Sequence, residues 1–400
     1  MDNNNNNNRN NRPNKTINVN NPFNEENKQS TSSKNTNIIK IGISHGDFNG
    51  VGYEILLKTF SDVRVMEYCT PILYGSSKIL SYYKKITDLP NFPFTNIRSC
   101  EQAEKGKLNV LNIIQEEVKI DVGQQTEIAG ELAALSLNMA TDDLIKGKFQ
   151  ALVTNPINKK NIQSPTFHFP GHTEYLTKKF DAKDSLMIMA CDKIKIGVMT
   201  NHLALKDVPN VVTGDLILRK LKTFHQSLKR DFGISMPKIA VLALNPHAGD
   251  HGVNGDEDEK IISPAIQKAF DQNILAFGPF PADGFFGMGE FANYDGVLAI
   301  YHDQGLIPFK LMSFTNGVNF TAGLPYVRTS PAHGTAYHIA GKNIANPDSF
   351  RSALFMAMDI CKNRMEYDEL TSNVLQISKK DHIVDEDITH ELQKDDEPAL

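Results

Sequence analysis

Three histidines share one sequence context. His202 follows the apolar run 194–199 in IKIGVMTNH, His247 follows 239–244 in IAVLALNPH, and His302 follows 297–300 in GVLAIYH. Each lies just beyond the expected C-terminal end of a buried strand, the edge at which open α/β sheets bind ligands. Any one of them alone is better read as structural. Three together suit a divalent metal, because imidazoles ligate zinc, cobalt, nickel or iron and leave positions open for substrate. Their wide spacing is unlike that of a zinc finger.

Two further clusters offer anion-binding chemistry. PGHTEYL puts His172 and Thr173 at a helix start, where free N–H groups favour negative charge. A plain N-cap role for Thr173 is the competing reading. YHDQGLIPFKLMSFTNGVNFTAGLPYVRTS supplies Lys310, Asn319 and Arg328 among apolar and glycine-rich neighbours, which is unusual for a solvated face. Converging, these three can hold a phosphate or carboxylate through charge-assisted bonds. Asp283 in GPFPADGFF and Asp303 beside His302 can position a metal ligand or accept a proton; helix capping is the structural alternative.

The elements that must position these groups are legible as an alternation. Apolar runs at 38–43, 71–74, 151–153, 186–190, 194–199, 239–244 and 297–301 read as strands. Helix-like stretches occupy 51–60, 76–85, 127–146, 214–229 and 348–363. The pattern predicts an α/β protein with a largely parallel or mixed sheet. No internal repeat or Pro/Gly/Ser linker divides it. A G-x-G-x-x-A match at Gly287, Gly289 and Ala292 follows PADGFF and no convincing strand, so it lacks the strand–turn–helix context of a dinucleotide fingerprint. Walker A is absent. GDFNGVGYE, after the first strand, reads equally as a tight strand-to-helix turn.

Composition bounds the rest. The chain has 400 residues, 40% hydrophobic and 22% charged, with a formal net charge of −5, which gives no general attraction to nucleic acid or anionic membrane. No apolar run approaches a membrane span. The four scattered cysteines fit a reduced compartment, and the start of the chain lacks a secretory core, so a cytoplasmic protein is expected. Residues 1–37 are an Asn-rich tail expected to be disordered, 38–380 form the body, and 381–400 form an acidic tail.

The blocks HGDFNGVGYE, VTNPINK, PGHTEYL, NHL, NPHAGD, GPFPAD, YHDQGLIPFK, GVNFTAGLP and RTSPAHGTA resemble, in this order, the 4-hydroxythreonine-4-phosphate dehydrogenase family. The resemblance covers about residues 38–365. It implies a non-Rossmann α/β fold like that of the isocitrate and isopropylmalate dehydrogenases, with two lobes around a cleft. It implies a homodimer whose active sites draw on both chains. His202, His247 and His302 become ligands of one divalent ion (zinc, cobalt or magnesium). His172, Thr173, Lys310, Asn319 and Arg328 become substrate contacts, with His172, Asp283 and Asp303 as candidate catalytic groups. His333, Gly334 and Asn346 match the positions that bind NAD, with NADP the alternative. The implied reaction oxidises 4-phosphooxy-threonine to 2-amino-3-oxo-4-phosphooxybutanoate, which loses carbon dioxide to give 3-amino-2-oxopropyl phosphate, a step of pyridoxal phosphate synthesis.

The departures are Phe48, Asn49 and Tyr53, where the common pattern has Pro, Ala and Pro, a slight one at Glu257–Glu259, and His338, where an acid is usual. The rival readings are a related dehydrogenase of a phosphorylated sugar acid or a dihydrodiol carboxylate, a three-histidine metallohydrolase, and a binding protein without catalysis.

Overall fold

The computed structural model describes residues 38–164 and 167–373; both tails read from the sequence lie outside these. Its strands are β1 (Ile39–Ser44), β2 (Cys69–Gly75), β3 (Phe94–Ile97), β4 (Leu108–Asn112), β5 (Ala151–Thr154), β6 (Leu186–Cys191), β7 (Ile194–Val198), β8 (Lys238–Leu242), β9 (Leu275–Phe280), β10 (Gly296–Ala299), β11 (Val318–Ala322) and β12 (Val327–Pro331). They form one sheet in the order β3-β4-β2-β1-β5-β12-β11-β6-β7-β10-β8-β9.

The expected α/β class is borne out, and the sheet is mixed in an informative way. The strands from β3 to β12 are mutually parallel, as are those from β7 to β9. Between them lie the antiparallel pairings β12–β11, β11–β6 and β6–β7. Three reversals make the two parallel blocks run in opposite directions. These blocks are the two lobes, joined through shared central strands, which is why no linker marks a boundary.

Helices cover the sheet because their apolar stripes demand it. In Gly214–Arg230 the stripe Ile217, Leu221, Phe224 and Leu228 is buried, and Thr213 caps the start by accepting from Leu216 N at 3.2 Å. Asp348–Ser372, longer than the sequence indicated, packs on β12, β5 and β11 through Phe350, Ala353, Leu354 and Ala357. No helix among the described residues is long and apolar enough to cross a membrane.

Two sequence readings need amendment. The run 297–301 is strand only over Gly296–Ala299, with Tyr301 becoming the N-cap of helix His302–Met312. The strand judged missing before PADGFF does exist, as β9. The glycines of the G-x-G-x-x-A match still fall at the end of helix Ala282–Gly287 and beyond it, not at a strand-to-helix turn.

Helix Glu127–Ile145 lies against the loop that follows β5. A Cβ on Gly130 would meet Asn161 O at 1.9 Å. Replacing a helical glycine by alanine ordinarily stabilises by about 1 kcal/mol. Here the backbone contact reverses the sign, and Gly130→Ala is expected to destabilise by roughly 1–3 kcal/mol. Denaturant unfolding checks this, and a gain in stability would contradict the packing.

Candidate active site

A cavity of about 280 Å³ lies against the central strands. β6 contributes Met187 and Met189, β11 contributes Asn319, and β12 contributes Arg328 and Ser330. Loops from the C-terminal ends of both blocks reach it: Asn155 to Lys159 beyond β5, His202 beyond β7, and His302 beyond β10. His172 and Thr173, at the start of helix His172–Lys179, close one side, and Lys310, in the last turn of His302–Met312, another. All five expected substrate contacts therefore line one cavity.

Arg328 dominates its electrostatics. The side chain is 1% exposed, and among the described residues no carboxylate pairs with it. Its donors go only to neutral hydroxyls: Nη2 and Nε to Thr154 Oγ1 at 2.7 and 3.1 Å, Nη1 to Thr321 Oγ1 at 3.2 Å. Burial pulls its pKa down to about 9, which still leaves it charged at neutral pH. A buried cation without a counter-ion is costly, so the pocket is built for an incoming anion. His172, half-buried beside it, is held well below its ordinary pKa by burial and by the charges of Arg328 and Lys159. Among the cavity's lining residues, polar atoms of His172 (Nε2), Asn319 (Oδ1) and His333 (Nε2) are buried without a hydrogen-bond partner. Such clustering is the signature of a ligand site rather than of a core.

The histidines divide. His202 and His302 face each other with ring centroids 6.0 Å apart. Each has a carboxylate on Nδ1: Glu174 Oε1 at 3.3 Å from His202, Asp303 Oδ1 at 2.7 Å from His302. A carboxylate accepting Nδ1–H leaves the Nε2 lone pair free, the arrangement that prepares imidazole for a metal. Burial would raise the Glu174 carboxyl, but the hydrogen bond from His202 and the nearby positive charges outweigh it and hold Glu174 below its ordinary value. Lys159 Nζ sits 2.9 Å from His202 Nε2, placing an ammonium where that lone pair would meet a cation. The donor set thus fits a divalent ion through two ligands.

His247 does not line this cavity. It is exposed on a loop whose non-glycine residues His247, Ala248, Asp250 and His251 all have positive φ, between 44° and 55°. The buried Asp258 carboxylate anchors that loop through Leu244 N and Asn245 N, at 2.7 and 3.0 Å. A strained run held so firmly is characteristic of a functional segment. Among the described residues no three His, Cys, Asp or Glu side chains are assembled to hold a metal within the single chain.

Of the two acids, Asp303 is exposed but bonded to His302, and Asp283 is exposed in helix Ala282–Gly287, outside the cavity. His333, Gly334 and Asn346 come together in a second cavity of about 460 Å³, which shares Lys310, Ala332, His333 and Gly334 with the first. Its wall is more apolar, with Val51, Ile55 and Ile339. Sequence reading missed Lys159 and Glu174. Both lie inside quoted blocks, but their partner His202 is 43 and 28 positions away, so no local pattern announces them.

The motif departures at the first loop are absorbed in packing. Phe48 is buried, Asn49 bonds Thr126 Oγ1 and Asp121 N at 3.0 Å each, and Tyr53 OH accepts from Ser76 N at 3.1 Å.

Comparison with known proteins agrees with this geometry. The family model described as "Pyridoxal phosphate biosynthetic protein PdxA" matches residues 67–357. A 4-hydroxythreonine-4-phosphate dehydrogenase from Bacteroides thetaiotaomicron is 48% identical over 82% of this chain and 90% of its own length. A relative from Oceanobacillus iheyensis, provisionally named a D-threonate 4-phosphate dehydrogenase, is 36% identical over 81% of this chain and 98% of its own. Among solved structures, 4-hydroxythreonine-4-phosphate dehydrogenase from Klebsiella pneumoniae superposes with a TM-score of 0.73 at 31% identity, covering 82% of this chain and 99% of that one.

The lone buried cation makes a direct prediction. Inorganic phosphate is expected to raise the melting midpoint of the protein, and Arg328→Met to weaken phosphate binding about tenfold or more, one charge-assisted bond being worth roughly 1.5–3 kcal/mol. Without phosphate, the variant should melt close to the parent, because loss of an uncompensated charge offsets the lost bonds to Thr154 and Thr321. Thermal melts with and without phosphate test both; an undiminished phosphate shift in the variant would remove Arg328 from the clamp.

Proposed function

This chain belongs to the pyridoxal phosphate biosynthetic protein PdxA family, and from that membership we propose that it is an NAD-dependent, divalent-metal-dependent 4-hydroxythreonine-4-phosphate dehydrogenase. That it is a dehydrogenase of this family follows from the 48% identity over most of both chains. The observation that carries the substrate reading is Arg328, a buried cation with only hydroxyl partners, converging with Lys310, Asn319, His172 and Thr173. Together they make a phosphate clamp.

In this reading the substrate phosphate neutralises Arg328 while neutral His172 and Asn319 supply hydrogen bonds. The secondary alcohol is thereby directed toward His202 and His302. Glu174 and Asp303 fix those rings in the tautomer that offers Nε2. Asp303, bonded to His302 at the cavity, takes the alcohol proton directly or through a group it orients, and Asp283, outside the cavity, has no part in this step. The metal, when bound, polarises the alcohol oxygen and steadies developing negative charge there. His333, Gly334 and Asn346 would hold NAD along the second cavity, where it would supply the hydride acceptor. A D-threonate 4-phosphate would satisfy the same clamp, and the name of the Oceanobacillus relative keeps that substrate as the second reading. A cytoplasmic setting suits four free, buried cysteines.

The third metal ligand comes from a second copy of the chain. His247 is exposed on a strained, anchored loop and does not line its own chain's cavity. In a two-fold dimer the same loop can complete the partner's site, and the reverse holds equally. Subunit mixing tests this. His202→Ala and His247→Ala are each expected to lose nearly all activity, measured as NADH absorbance with 4-phosphooxy-threonine and a divalent ion. Mixed and allowed to exchange, they should recover about a quarter of wild-type activity, because half the dimers are hybrids with one intact site each. Failure to recover, with hybrids demonstrated by mass, would place all three ligands in one chain. Turnover of D-threonate 4-phosphate but not of 4-phosphooxy-threonine would favour the second substrate.

A further inference from the structure

The first cavity is lined by the cations Lys159, Lys310 and Arg328 and by no Asp or Glu. The proposed phosphate clamp uses Lys310 and Arg328 and leaves Lys159 over. Its ammonium meets His202 Nε2 at 2.9 Å, on the ring that faces His302. Among the described residues that ammonium has no carboxylate partner, Glu174 being engaged with His202 Nδ1 at 3.3 Å. The backbone beneath it is tied down. Gln163 Nε2 donates to Lys159 O at 3.0 Å, and Asn158 Oδ1 accepts from Lys160 N and Asn161 N at 2.9 and 3.2 Å. Asn161 Nδ2 in turn donates to the buried Asp47 carboxylate at 2.7 Å. An anchored backbone thus presents a flexible point charge to the cavity.

The order of groups along the substrate says what this charge meets. 4-Phosphooxy-threonine carries its phosphate at one end, the secondary alcohol on the neighbouring carbon, and its carboxylate at the other end. D-Threonate 4-phosphate has the same two ends. With the phosphate on Arg328 and the alcohol directed toward His202 and His302, the remaining carbons lie at the histidines, beside Lys159. We propose that Lys159 binds the substrate carboxylate and so selects phosphorylated hydroxy acids over phosphorylated alcohols that lack an acid group. The inference rests on the dehydrogenase reading above and holds for either of its two substrates. The clamp cannot make this distinction, because a phosphate and a hydroxyl are common to both kinds of compound. An ammonium can, since it gains a charge-assisted bond from a carboxylate and none of that strength from a neutral group. It also repels the amino group of 4-phosphooxy-threonine, which turns the carboxylate rather than the amine toward it.

Calorimetry on the full chain, loaded with a divalent ion and without NAD, tests this by binding alone. The probes are 4-phosphooxy-threonine and D-threonate 4-phosphate, each beside its own carboxamide, which differs only at the acid group. The parent is expected to bind an acid about tenfold or more tighter than its amide. Lys159→Met should bring the pair to near equality by weakening the acid alone, while Lys159→Arg keeps most of the preference. Equal weakening of acid and amide in the Met variant would show a role in the scaffold and overturn the inference. A preference that survives in that variant would overturn it too, since another group would then read the acid. Inorganic phosphate and the divalent ion, titrated separately, should bind the Met variant within about threefold of the parent or tighter. A tenfold loss of divalent-ion affinity would make Lys159 a support of the metal site instead. Acid and amide bound alike by the parent overturn this inference and leave the dehydrogenase reading standing; binding of neither acid overturns both.

Discussion

A buried guanidinium without a carboxylate partner sets the terms for the rest of the site. Arg328 sits in the middle of the sheet, on a strand whose neighbours β5 and β11 offer it only threonine hydroxyls. A carboxylate at Thr154 or Thr321 would satisfy the charge, and it would also close the pocket to anions. The free protein therefore carries an electrostatic cost that any anion reaching the pocket would relieve. The three antiparallel pairings at the sheet centre serve this arrangement. They bring strands of both parallel blocks to one cavity, so that the clamp on β11 and β12 faces the histidines beyond β7 and β10.

The histidine side of the cavity follows the same logic of preparation. Glu174 and Asp303 each hold one imidazole through Nδ1, and Lys159 sits on Nε2 of His202. On the proposed reading, metal binding must move Lys159 aside. The amine would then be free to meet an anionic group of the substrate, since it already lines the cavity. The remaining ligand stands on a loop that is strained rather than buried. Four non-glycine residues at positive φ are tolerated there because Asp258 ties the backbone of the preceding segment.

Much of this was legible from residue order, and what was not has identifiable causes. Strands β5 and β6 are buried along their whole length, and β1, β7 and β8 are buried apart from one lysine each (Lys40, Lys195 and Lys238), so all five announce themselves as apolar runs. β11 and β12 do not, because function has replaced part of their apolar pattern: VNFTA carries Asn319 and Thr321, and VRTSP carries Arg328. The strands hardest to read are thus the ones that hold the clamp. β9 was hidden for a different reason, its Gly278 and Pro279 being poor strand formers. The clamp residues themselves were recognisable, since each polar group stands out from apolar neighbours. His202, His247 and His302 share a sequence context, but that context concealed that His247 leaves the strand end through a left-handed turn.

Departures from the family pattern separate along the same physical line. Phe48, Asn49 and Tyr53 replace smaller or stiffer residues, yet each is buried and hydrogen-bonded or stacked within the lobe, with Tyr53 lying 5.6 Å from the Tyr83 ring. Such changes trade one way of filling a core for another. His338 is different in kind. It stands exposed at the rim of the second cavity, where it faces solvent and not a core. Where a substitution alters only volume inside a lobe, selection on the scaffold can absorb it.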